Sequence, residues 1–162
     1  MSNWMADTRS AMALALQNDQ AVSGLMGNGS WFLFTGQPPL TRVEILSKNC
    51  PIILLASQGH DSTDMAHAPC LRDSFDVLFQ LVTSDDKPQC AGLGGVEALY
   101  LAFDAALRAS VSNGDFDGIR NAQFARIEPR EVKFGHSGQT KEVPRRVWDV
   151  SGTLRVHFEF AW

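Results

Sequence analysis

An α+β fold is predicted by three features of the sequence. Phe75, Val77, Phe79 and Leu81 alternate with Ser74, Asp76, Leu78 and Gln80, the period-two pattern of a strand with one buried face. Val96, Leu99, Tyr100, Phe103 and Leu107 then fall on one stripe of an amphipathic helix. The last third reads as strands only, ending in Leu154, Val156, Phe158 and Phe160 alternating with Thr153, Arg155, His157 and Glu159. The expectation is one domain over residues 1–162: a mostly antiparallel sheet with an N-terminal helix and a second helix packed on one face, plus an extended basic β-hairpin arm at 130–149.

In chain order, Asp7 or Thr8 can cap a first helix whose stripe is Ala11, Leu14, Asn18, Ala21 or Val22, and Leu25, widened by Met12 and Leu16. Gly24, Gly27 and Gly29 end it. Trp31 to Thr35 reads as a short strand broken by Gln37-Pro38-Pro39, and Arg42 to Leu46 and Ile52 to Ala56 are aliphatic runs of strand length. Ser57 to Arg72 shows neither period and reads as an exposed loop. After the strand Asp73 to Val82, a turn at Ser84 to Pro88 and the glycines Gly92, Gly94 and Gly95 lead into the helix Val96 to Arg108. Ser112-Asn113-Gly114-Asp115 is turn chemistry. Strands follow at Ala122 to Glu128, Glu131 to Phe134, Val143 to Asp149 and Gly152 to Phe160, with a turn at Gly135-His136-Ser137-Gly138. The middle pair holds little apolar content, so a partner is expected to order it.

At 162 residues and 44% hydrophobic content the chain can bury an ordinary core. No apolar run approaches the roughly 20 residues that span a bilayer, and Met1 to Arg9 has no signal-peptide pattern; the expected compartment is a cytoplasm. Cys50, Cys70 and Cys90 are odd in number and lack CxxC spacing, which points to buried thiols. Residues 1–129 hold 8 Lys/Arg against 14 Asp/Glu, whereas 130–162 hold 6 against 4. An acidic body argues against general nucleic-acid binding, which needs a broad positive surface, and a basic segment beside it fits a protein contact between opposite charges.

The search for chemistry yields no catalytic constellation, and no enzyme is expected. His60, Asp61, Asp64, His67 and Cys70 crowd one loop, but their spacing matches no metal motif. Gly92-Leu93-Gly94-Gly95 precedes a helix that could hold an anion, yet the P-loop Gly-Lys-Ser/Thr is absent, and glycines that let the helix pack closely explain it more simply. Gly135-His136-Ser137-Gly138 is not a GxSxG elbow, because it lies between polar strands.

The element order, closing in Gly152-Thr153-Leu154-Arg155-Val156-His157-Phe158-Glu159, resembles the tail-terminator proteins of long-tailed bacteriophages, also called tail-completion or head-tail joining proteins. The resemblance spans nearly the whole chain and rests on diffuse positions. It implies a structural virion protein with no cofactor and no catalytic residues, forming a homo-oligomeric ring, usually of six subunits. Such a ring caps the head-proximal end of the tail tube, ends its polymerisation and joins it to the head connector or neck protein. Localisation at the virion's tail-neck junction after assembly in the host cytoplasm follows. Interface residues are expected at Arg130, Lys133, Lys141, Arg145, Arg146 and Trp148. Asp85, Asp86, Asp115 and Asp117 are expected to supply negative charge to a lumen through which DNA passes without specific binding. The competing readings are a neck adaptor or tube subunit, and a small metal- or ligand-dependent enzyme.

Overall fold

The computed structural model describes residues 4–34, 49–61, 70–119, 124–137 and 146–161. In order they form α1 (Trp4–Asn18), α2 (Gln20–Met26), β1 (Ser30–Leu33), β2 (Ile52–Asp61), β3 (Cys70–Ser84), a 3₁₀ turn (Pro88–Cys90), α3 (Gly92–Ser112), β4 (Phe124–Ser137) and β5 (Val147–Ala161). The α+β class holds. The five strands lie in the order β1-β2-β3-β5-β4; β1 runs parallel to β2 and the other neighbours are antiparallel.

The N-terminal helix is two helices. Asp19 leaves helical geometry (φ −76°, ψ 125°), and its carboxylate accepts the Val22 amide at 3.0 Å, so it caps α2. Buried positions are Thr8, Met12 and Leu16 in α1 and Val22 and Met26 in α2. The predicted stripe is therefore displaced, and Leu14 is 57% exposed. The reason is an earlier start: Trp4 and Met5 already pack against the core, and Thr8, far from capping, lies inside α1 with its hydroxyl donating to the Trp4 carbonyl at 2.7 Å.

One core fills the space between the helices and one sheet face. Val77, Phe79 and Leu81 of β3 and Leu154, Val156 and Phe158 of β5 meet Val96, Leu99, Phe103 and Leu107 of α3, as their periods require. Phe79 stacks on Tyr100 (6.0 Å) and meets Phe103 (5.3 Å), while Trp4 meets Phe158 edge-on at 5.5 Å. Each fully buried large side chain contributes about 1.5–3 kcal/mol. The opposite face carries a smaller apolar cluster of Cys50, Ile52, Leu54, Ala56, Val82 and Val147.

Helix α3 begins at Gly92, four residues before its apolar stripe. Gly95 explains the glycine run, because a Cβ there would lie 2.1 Å from the carbonyl carbon and oxygen of Cys90. Only glycine lets the first turn of α3 lie against the 3₁₀ turn.

Three further expectations change. The loop at 57–72 is shorter, since β2 continues to Asp61 and β3 starts at Cys70, paired through Asp61↔Ser74; 62–69 lie outside the described residues, as does the strand expected at Arg42 to Leu46. The four C-terminal strands are two, paired from Phe124↔Glu159 to Ser137↔Val147. The turn expected at Gly135 to Gly138 is strand through Ser137. The expected arm thus starts as sheet: Val147, Trp148 and Asp149 pair with Ser84, Thr83 and Val82 of β3.

A bulge hid the continuity of β4. Four residues, Arg130 to Lys133, stand opposite three on β5, Thr153 to Ser151, and Glu131 takes φ 55°. The extra residue reverses the parity of the strand. Ile127 faces the core before the bulge, whereas Phe134 and His136 share the face of Tyr100 and Trp148 after it.

Candidate interface at the hairpin and helices

The root of the β4–β5 hairpin is built on Asp85. The turn from β3 to α3 brings this side chain to the N-terminus of α3, where Oδ1 accepts the Gly92 amide at 2.8 Å and the Trp148 indole N–H at 2.9 Å. The helix terminus that an anion could occupy is thus filled by the chain's own carboxylate, which suits the positive end of the helix dipole. Trp148 stacks on His136 across the strands (5.0 Å between ring centroids), with the Arg146 guanidinium 5.9 Å from its ring centre. The Asp85 amide donates to the Arg146 carbonyl at 3.0 Å. Turn, helix and hairpin are therefore tied at one point.

The sheet face turned away from the helices holds a charged ladder where β3, β5 and β4 lie side by side. Arg155 donates to both carboxylate oxygens of Asp76, at 2.8 and 2.9 Å, and this bidentate bond holds Asp76 below the usual carboxylate range against the opposing effect of burial. His157 lies 3.2 Å from Glu128. Burial lowers the His157 pKa more than Glu128 raises it, and the hydrogen bond with His157 lowers that of Glu128. Arg130 bonds Glu128 at 3.3 Å. Both carboxylates described here, Asp76 and Glu128, are matched by an arginine, so the ladder reads as a zipped polar face and not as an acid–base pair poised for turnover.

No family model matches the chain, and no curated protein matches it. Among solved structures it is similar to a chain described as "Virion of native gene transfer agent (GTA) particle", with a TM-score of 0.45 and 13% identity, covering 97% of this chain and 99% of that one. A likeness at that TM-score carries no functional argument.

The fold brings some of the expected interface and lumen residues together and separates others. Trp148 and Arg146, expected at an interface, join Asp85, expected in a lumen. Arg130 and Lys133 lie on β4, at one edge of the sheet, and Lys141 and Arg145 lie outside the described residues. The four aspartates form two pairs at opposite ends of the 21-residue α3, about 30 Å apart along its axis. Asp86 bonds the Ser84 hydroxyl, and Asp115 accepts from Ser110 at 2.7 Å.

Among the described residues, no group of three or more His, Cys, Asp or Glu could hold a metal, and no helix is long and apolar enough to cross a membrane. Cys50 and Cys90 are buried, and burial pushes the Cys90 thiol up to about 11, which keeps it protonated and unreactive at neutral pH.

Two surface features escaped the sequence reading. A groove of about 470 Å³ runs between α1 and α3, floored by alanines such as Ala11, Ala15, Ala106 and Ala109 and ending at Asp19 and Asp115. Phe134, on the edge strand, is 47% exposed although it touches Tyr100 edge-on. Neither could be found by period, because the first depends on how two helices cross and the second on the bulge.

Proposed function

We propose that the chain is a structural virion protein that forms a hexameric ring on the head-proximal end of a phage tail tube. There it ends tail polymerisation and presents a surface to the head connector. The observation that carries the reading is the separation of charge between two parts of the fold. The helices and the turn after α3, residues 4–26 and 92–119, hold six acidic side chains and two basic; β4, β5 and their connection, 124–161, hold seven basic and five acidic. Two unlike, complementary surfaces on one subunit favour a head-to-tail contact, and such contacts close into rings when the rotation permits. The element order resembles that of tail terminators, which supports the same reading. In this ring Asp85, Asp86, Asp115 and Asp117 are the proposed source of negative charge toward passing DNA.

Electron microscopy of the protein mixed with purified tail tubes tests the function. Density confined to one tube end is expected. Incorporation along the tube would make the chain a tube subunit instead, and density only on isolated connectors would make it a neck adaptor.

A further inference from the structure

We infer that the outward face of α3 pairs antiparallel, about a two-fold axis near Leu101, with the same face of a second copy of this chain. The contact goes beyond the ring reading, since it closes at two copies and uses the side of α3 turned away from the sheet. Gly94, Glu97, Ala98, Leu101, Ala105 and Arg108 are all exposed. Each residue turns a helix by about 100°, which places these six within a single arc of about 100°. Leu101 stands near the middle of that arc. It is 64% exposed, the most of any large hydrophobic side chain among the described residues, on a helix whose opposite side is packed into the core.

The charge on this face is its own complement. Two of the six side chains are charged, Glu97 and Arg108, and they are opposite in sign. Their spacing of eleven residues is close to three full turns, so they lie almost on one line, about 17 Å apart along the axis. The Glu97 carboxylate has no ion pair or hydrogen bond among the described residues. Arg108 bonds Asp104 at 2.9 Å through Nε alone, with its side chain 67% exposed; this holds the guanidinium in place and leaves its terminal nitrogens as donors. In an antiparallel pair each Glu97 lies level with Arg108 of the other copy, whereas a parallel pair would set like charge against like. Leu101 lies about 2 Å along the helix from the midpoint of that pairing, and Gly94, Ala98 and Ala105 leave room beside it for the other copy's leucine. A partner of a single charge sign would satisfy one of the two groups and oppose the other. A second copy satisfies both.

Sedimentation velocity on the full chain over a wide concentration range tests this. Wild type should pair, and more weakly at high salt, because exposed ion pairs are screened. Each substitution acts twice across a two-fold axis, so Glu97→Arg and Arg108→Glu should each weaken pairing at least about tenfold while keeping the native circular dichroism spectrum. Both changes in the same chain exchange the signs and should restore most of the affinity. Leu101→Glu, made at an exposed position, sets two carboxylates beside the axis and should leave only monomer at concentrations where wild type is paired. A wild type that stays monomeric would overturn the inference. So would association, as a dimer or a larger ring, that is indifferent to Leu101→Glu, or a double charge exchange that pairs as weakly as the single variants.

Discussion

Asp85 caps the helix from seven residues away, because the methyl group of Ala91 at the N-cap position cannot accept a hydrogen bond. Replacing Asp85 with alanine strands the Gly92 amide and the Trp148 indole, and a loss of about 1 kcal/mol is expected, with Asp85→Asn recovering most of it in urea titrations. Gly95→Ala is expected to cost about 3 kcal/mol, since its new methyl meets backbone and neither the 3₁₀ turn nor α3 can shift alone. Among the described residues, His157, Glu128 and Asp76 all contribute to the acid response. The folded His157 pKa lies below its ordinary 6.5, so its stabilising contribution is complete above that value and is lost as pH falls through the folded pKa. Asp76 is likewise held below 3.8, and its contribution disappears on further acidification through its folded pKa. His157→Gln should flatten the decline just below pH 6.5 by about 1 kcal/mol or less, and leave the decline below pH 3.8 in place, as read from the urea midpoint against pH.

At the scale of elements, what the sequence made legible was whatever kept a single period. β3, β5 and the stripe of α3 did so: Val77, Phe79, Leu81, Leu154, Val156, Phe158, Val96, Leu99, Phe103 and Leu107 are buried as the pattern named, while Tyr100 is half-buried. β4 did not, because the bulge after Arg130 reverses its parity and makes one strand look like two short polar ones. The helix break was hidden for a different reason: Asp19 is one polar residue among several, and only its bond to the Val22 amide distinguishes a cap from a surface aspartate. Asp19→Ala should therefore cost about 1 kcal/mol, measured by chemical denaturation, whereas Asp7→Ala, on an exposed position with no cap bond among the described residues, should cost less than half of that. β4 also shows how the sheet's edge is guarded. Pro129, the bulge and the charged side chains Arg126, Arg130 and Lys133 all fall on this strand, where a missing amide costs no ladder bond and open-ended pairing is discouraged. Of the candidate site, the basic character of the hairpin was legible, but the groove and the Asp85–Trp148 junction were not. Both depend on residues more than 60 apart in sequence or on the crossing of two helices.

On the scale of the whole molecule, the helices carry an acidic excess and the sequence 124–161 a basic one, and that polarity along the chain is the reason the proposed function expects a closed ring. The most direct measurement is electron microscopy of the purified protein with phage tail tubes that lack their own terminator. The account predicts a single ring of density on one end of each tube and tubes that no longer elongate when tube protein is added. Tubes that stay bare at both ends, or that continue to grow, would contradict it.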